Sequence, residues 1–157
     1  YSISSPFLFK LLDGPGPLAK GVFLMQKEVA ERVAAGPGSK KRAPMSIQFE
    51  LDFRVRIHFT LPPGAFSPPP RVQSALVSLE KRAAPLFAIE NRDAFRRFLR
   101  AAFAERRKTL LNNMKKAGFP AEAVRQALAA LSFPETVRAE EIDTARFVAL
   151  FKALPPR

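Results

Sequence analysis

An α/β segment followed by an all-helical segment is the fold class this sequence predicts, and three observations predict it. From Ile47 to Leu61 apolar and polar residues alternate, the period-2 pattern of a half-buried strand. Past residue 90 the period lengthens: Phe95, Phe98, Leu99, Ala102 and Phe103 form the apolar stripe of a helix. Between these two regions, Leu61 to Val72 reads L-P-P-G-A-F-S-P-P-P-R-V, with five prolines in nine residues, which neither a helix nor a central strand accepts. The α/β part covers residues 1 to about 83 and the helical part residues 84–157, with Ala83 to Glu90 as the hinge.

The elements follow in order. Ser4-Ser5-Pro6 before Phe7-Leu8-Phe9 is a helix start, with serine at the cap and proline in the first turn. Asp13 to Gly21 is glycine- and proline-rich punctuation. Val22-Phe23-Leu24-Met25 is a continuous apolar run, as in a fully buried parallel strand. Gln26 to Ala35 reads as a helix with Val29 and Val33 on one side, and Gly36 to Pro44 as a basic loop. In the long alternating run, Phe49, Leu51, Phe53, Val55, Ile57, Phe59 and Leu61 share one face. Gln73 to Glu80 is a further strand, and helices follow at Pro120–Leu131 and about Ala139–Leu154, separated by Pro134.

In the proline-rich segment each proline fixes φ and pushes the preceding residue to extended geometry. The loop is therefore stiff and holds its one large side chain, Phe66, in a narrow range of positions. Two roles suit such a residue: a plug tucked under its own loop, or a flat surface that grips a nucleobase. The segment alone leaves both open.

Charge points to a polyanion. The 157 residues carry 26 Lys+Arg against 14 Asp+Glu, a net charge of +12. Residues 91–118 hold nine bases (Arg92, Arg96, Arg97, Arg100, Arg106, Arg107, Lys108, Lys115, Lys116) and two acids, more than half of the whole excess, whereas residues 119–157 are neutral. A local basic excess on a balanced chain is the footprint of a nucleic-acid binder. At 3.6 residues per turn Arg96, Arg97 and Arg100 lie together away from the apolar stripe. Arg107 and Lys108 extend that face if the helix runs on, and Arg106 then turns toward the apolar side.

Composition excludes several classes. Hydrophobic residues make up 47%, enough for a real core. No apolar run reaches the ~20 residues of a membrane span, and no signal-peptide pattern is present. Without cysteine there is no disulfide, thiolate zinc site or thiol chemistry. His58, the single histidine, falls in the alternating run as an ordinary strand residue, which argues against a histidine metal site or triad. The chain opens at Tyr1 without a methionine, as a fragment, a processed product or an expressed piece would.

Four motifs carry a family resemblance. Tyr1-Ser2-Ile3-Ser4-Ser5-Pro6 is similar to N-L-P-Y-x-I-S-[ST]-P from its tyrosine onward. Gln26 to Arg32 with Gly36 to Lys40 is similar to Q-K-E-V-A-x-R…G-x-x-x-Y. Pro62 to Val77 and Phe103-Ala104-Glu105-Arg106-Arg107-Lys108-Thr109-Leu110 match P-P-x-A-F-x-P-P-P-x-V-x-S-A-[VL]-V and F-x-x-R-R-K-T-[LI]. Together they span nearly the whole chain, and it resembles the second half of a small-subunit ribosomal RNA adenine dimethyltransferase.

The resemblance implies the second half of a Rossmann-like class I methyltransferase sheet, target-base loop included, followed by a small helical RNA-binding domain. It implies transfer of methyl groups from S-adenosylmethionine to the exocyclic amine of adenosines in small-subunit rRNA during ribosome biogenesis. The expected partner is the immature small subunit, the compartment the cytoplasm, and the state a monomer. Such chemistry needs the base out of its stack. Tyr1 matches the tyrosine that stacks on the base and Phe66 the second aromatic that closes on it. Arg106, Arg107 and Lys108 match the basic run that meets RNA backbone. Arg71, Lys40, Lys41 and Arg42, with Arg96, Arg97 and Arg100, are further candidate phosphate contacts, or else solvated surface.

The departures bear on the cofactor. The family binds it on a Gly-rich turn after its first strand, and no G-x-G-x-x-G occurs here. The catalytic tetrapeptide is represented only from its tyrosine. The chain alone is therefore expected to bind S-adenosylmethionine weakly or not at all. Where the family reads Y-G-R-L-S, this chain reads Arg42-Ala43-Pro44-Met45-Ser46. A non-catalytic RNA-binding or assembly module is the alternative, and kinship with the erythromycin-resistance rRNA methyltransferases a third, which the R-R-K-T run and triple proline disfavour.

Overall fold

The computed structural model describes residues 4–13 and 18–155. They form two compact units, one built from residues up to Ala35 and Met45–Leu86, the other from Gly36–Pro44 and the residues from Phe87 onward. Among the described residues no helix is long and apolar enough to cross a membrane.

The first unit runs α1 (Ser4–Asp13), β1 (Lys20–Gln26), α2 (Lys27–Val33), α3 (Pro44–Asp52), β2 (Phe53–Leu61) and β3 (Ser74–Lys81). Its three strands form one sheet in the order β1-β3-β2, with β3 antiparallel to both neighbours. Ala75, Val77 and Leu79 of the central strand are fully buried. They join Met25, Phe53, Leu8, Leu11, Leu12, Ala30, Val33 and Phe49 in one core. Each large apolar side chain so buried stabilises the unit by ~1.5–3 kcal/mol.

Three expectations need correction. The Val22–Met25 run is not a fully buried parallel strand. Among the described residues β1 pairs only with β3, antiparallel, so its faces alternate: Met25 is buried while Val22 and Leu24 are exposed. The single strand expected over Ile47–Leu61 is a helix to Asp52 and a strand only from Phe53. Pro44 opens the helix where a missing N–H costs nothing. Ile47, Phe49 and Leu51 are all buried, so α3 is covered on more than one side and its alternation carries no strand meaning. Finally, Phe59 does not share the face of Phe53, Val55 and Ile57. A bulge at His58 shifts the register, so Ile57 pairs with Val77 but Phe59 with Leu76, and Phe59 turns to the exposed face. One inserted residue exchanges the two faces of a strand.

The second unit holds α4 (Arg92–Ala102), α5 (Leu110–Lys116), α6 (Ala121–Ala130) and α7 (Thr144–Ala153). Its core includes the stripe Phe95, Phe98, Leu99 and Ala102, with Met114, Leu128, Phe147 and Leu150 from the other helices. Phe98 meets Phe147 edge-on and Phe103 stacks on it. Helix α5 ends on Gly118 at φ +87°, whose N–H bonds the Lys115 carbonyl while Phe119 N–H bonds that of Met114. This is the two-bond ending that favours glycine.

Candidate nucleic-acid interface

In the first unit the proline-rich segment is the connection between β2 and β3, closed at its base by the pair Leu61–Ser74. Pro63–Ala65 form one 3-10 turn, and the Phe66 N–H bonds the Pro63 carbonyl at 3.2 Å. Phe66 itself is extended, with φ −127° and ψ 152°. It is half-buried, neither sunk in the core nor free of its loop. The other end of the loop is fastened twice: Lys27 N–H donates to the Gln73 carbonyl at 2.9 Å, and Lys27 Nζ to Gln73 Oε1 at 2.9 Å. The Gln26-Lys27 junction of β1 and α2 thus grips the base of the loop that carries Phe66. Arg71 is exposed on the same loop. Tyr1, the other expected stacking residue, lies outside the described residues.

In the second unit α4 starts on Asn91, whose Oδ1 accepts the Ala94 N–H at 2.9 Å. Arg97 and Arg100 are exposed, and Arg96 is half-buried with Nη1 3.5 Å from Asp93. The helix does not run on. It ends at Ala102, and Arg106, Arg107 and Lys108 sit in the turn before α5, all three exposed. The continuous helix that would have turned Arg106 toward the apolar side is therefore not present, and Arg106 is exposed.

Asn113 of α5 accounts for that ending. Its buried amide donates to the Ala102 carbonyl at 2.8 Å and the Glu105 carbonyl at 3.2 Å, capping groups that a longer helix would have used. Lys108 N–H also bonds the Glu105 carbonyl, and Thr109 Oγ1 caps α5 by accepting the Asn112 N–H. Lys116 Nζ lies 2.6 Å from Glu105 Oε1. That hydrogen bond, the Lys116 charge and the charge of Lys108 hold the Glu105 carboxyl below its ordinary range, and the same bond raises Lys116. The two acids of the 91–118 segment are thus occupied by Arg96 and Lys116. Arg97, Arg100, Arg106, Arg107 and Lys108 form no salt bridge among the described residues.

The Gly36–Pro44 loop belongs to this unit. Gly38, at φ +80°, donates its N–H to the Glu140 carbonyl at 2.8 Å. Lys40 and Lys41 are exposed. Arg42 is not, and its expected phosphate contact is corrected: it is 2% exposed, with Nε on the Ile142 carbonyl and Nη2 on Thr144 Oγ1. A guanidinium committed to buried acceptors has no face left for a phosphate. The signal in the sequence was only the basic run Lys40-Lys41-Arg42, which says nothing about which cation turns inward. Asp143 beside it caps α7 through the Arg146 N–H. Burial pushes that carboxyl up, but the Arg146 hydrogen bonds and the charges of Arg146 and Arg42 outweigh it and leave it below its ordinary value.

Among the described residues no glycine-rich turn joins a strand to a helix. Strand β1 enters α2 directly at Gln26–Lys27 with no glycine between them. Gly21 lies within β1, Gly64 in the 3-10 turn, Gly36 and Gly38 in the basic loop, and Gly118 ends α5. None forms the strand–turn–helix phosphate or nucleotide grip.

Known proteins provide the frame for these parts. The family described as ribosomal RNA adenine dimethylase matches residues 1–154. "Ribosomal RNA small subunit methyltransferase A" of Syntrophus aciditrophicus is 42% identical over 98% of this chain and 56% of its own length. Its namesake in Geobacter sulfurreducens is 40% identical over the same shares. The chain thus spans about half the length of these curated relatives. A dimethyladenosine transferase from Plasmodium falciparum superposes with a TM-score of 0.78 at 28% identity, over 96% of this chain and 62% of that one. The 23S rRNA methyltransferase ErmE does so with a TM-score of 0.69 at 20% identity, over 98% and 62%, a likeness of fold alone. With a family match that leaves only its last three residues uncovered, this chain belongs to the ribosomal RNA adenine dimethylases.

Proposed function

We propose that this chain is the target-recognising part of an S-adenosylmethionine-dependent enzyme that dimethylates adenosines of small-subunit rRNA during ribosome biogenesis. In this reading residues 1–83 are the later part of a Rossmann-like methyltransferase domain and residues 84–157 an RNA-binding domain. The protein acts as a monomer on immature small subunits in the cytoplasm. The observation that carries the proposal is the fastened proline loop: it presents one half-buried aromatic, Phe66, from a base gripped by Lys27 and Gln73.

The chemistry asks little of acid–base groups. The adenine amine attacks through a lone pair shared with the ring, so the protein's task is to hold the base flipped out and fixed. Phe66 supplies a π-face, worth ~1–3 kcal/mol against a base, and Tyr1 is the second stacking residue of this reading. Arg106, Arg107 and Lys108 take phosphates, and Arg97, Arg100, Arg71, Lys40 and Lys41 are further candidate contacts. Such contacts set affinity and register, not sequence. S-adenosylmethionine supplies the methyl group, and its site belongs to the length of the relatives that this chain does not span.

The test is a tritiated-methyl assay with the longer protein that contains this chain, on small subunits from cells that lack the modification. Dimethyladenosine in the small-subunit rRNA is expected. No transfer to that rRNA, with RNA binding intact, would leave only a binding module.

A further inference from the structure

Asn113 is buried at 3% exposure, and its use of hydrogen bonds is lopsided. Both amide donations go to the turn between α4 and α5, on Ala102 and Glu105, while Oδ1 finds no partner among the described residues. An unpaired buried acceptor costs stability, against which stand the two bonds that the amide gives to the turn. What the asparagine provides is shape. It stops α4 at Ala102 and bends the next residues outward, so that Arg106, Arg107 and Lys108 all reach solvent rather than one pointing to the core. Glu105 holds the same turn from outside through Lys116.

We propose that Asn113 is a positioning residue, whose amide fixes the 103–109 turn in the form that presents Arg106, Arg107 and Lys108 to an RNA backbone. The inference rests on the reading of that turn as an RNA contact. It predicts that loosening the turn weakens RNA binding even where no cation is removed. Glu105→Ala separates this from simple electrostatics. It removes an acid from a basic surface, so charge alone would tighten RNA binding, whereas loss of the clamp weakens it.

The experiment measures filter binding of a small-subunit rRNA transcript to the full-length protein. Asn113→Asp, close in size but unable to donate, and Glu105→Ala are each placed in the native background and beside Arg106→Gln, Arg107→Gln and Lys108→Gln. Expected is a loss of about tenfold for each in the native background, near 1.4 kcal/mol, and less than about twofold once the three cations are gone, because coupled residues lose additivity. If the three cation changes leave binding intact, the RNA reading of the turn falls. If they weaken it but Glu105→Ala tightens it, or either variant loses as much without the cations, the positioning role falls. Should Asn113→Asp fail to fold, Glu105→Ala, at a half-buried position, decides alone.

Discussion

Arg42 Nη2 donates to Thr144 Oγ1 at 2.9 Å, a buried bond between residues 102 positions apart. It fastens the basic loop to the start of α7, so that Lys40 and Lys41 are held out while Arg42 serves as their anchor. Arg42→Met should therefore act on stability and not on RNA affinity per charge. Losing the buried bonds to the Thr144 hydroxyl and the Ile142 carbonyl costs ~0.5–3 kcal/mol each. A urea melt should show the loss, while the slope of log affinity against log salt stays as in the unaltered protein. A slope flatter by about one unit would return Arg42 to the phosphate contacts.

Phe66→Ala in the full-length enzyme should slow methylation by about 10- to 100-fold, the worth of ~1–3 kcal/mol of stacking. Its half-buried position leaves the core intact, so the thermal midpoint should move little. A loss of ~3–5 kcal/mol in stability, as for a fully buried phenylalanine, would identify a plug instead.

Replacing Arg106, Arg107 and Lys108 together by Gln should weaken RNA binding alike for different sequences, since phosphate contacts do not read bases. Each lost contact should flatten the salt slope by about one unit. Salt titrations of filter binding measure this, and an unchanged slope would pass the role to Lys40 and Lys41.

Acid should loosen the same turn. The Glu105 carboxyl is held below its ordinary range by Lys116, so its folded pKa is under the unfolded value of ~4.3. Such a group stabilises fully above the unfolded pKa, and the contribution is lost as pH falls through the folded one. Amide exchange at Lys108, whose N–H bonds the Glu105 carbonyl, corrected for its intrinsic rate, should be slow at neutral pH and lose protection in acid. Equal protection on both sides of the carboxylate range would show that the pair does not shape the turn.

The chain alone should neither bind S-adenosylmethionine measurably nor methylate RNA, because β1 enters α2 without the glycine turn a nucleotide needs. Calorimetry with the cofactor and a methyl-transfer assay check both. Turnover by this polypeptide on its own would overturn the assignment.

The sequence by itself determined the parts that depend on near neighbours. Proline chemistry made the Phe66 loop stiff wherever it was placed, the spacing of Phe95, Phe98, Leu99 and Ala102 made α4 a helix with one buried face, and the 91–118 bases marked the cationic segment. Tertiary structure decided what local pattern leaves degenerate. Ile47, Phe49 and Leu51 alternate like a strand, yet they are helical because α3 is buried on more than one side, and burial on several sides erases the period. Phe59 fits the alternation, but the bulge at His58, fixed by pairing with β3, turns it outward. Arg42 reads like its neighbours Lys40 and Lys41 until Thr144 and Ile142 arrive from 100 residues away to claim it. Asn113 is one polar residue in an unremarkable helix. Only the packing of α5 against the end of α4 places its amide on the carbonyls of Ala102 and Glu105, and with them the shape of the basic turn. Side chains whose partners are distant in sequence take their roles from those partners, and no window along the chain contains both.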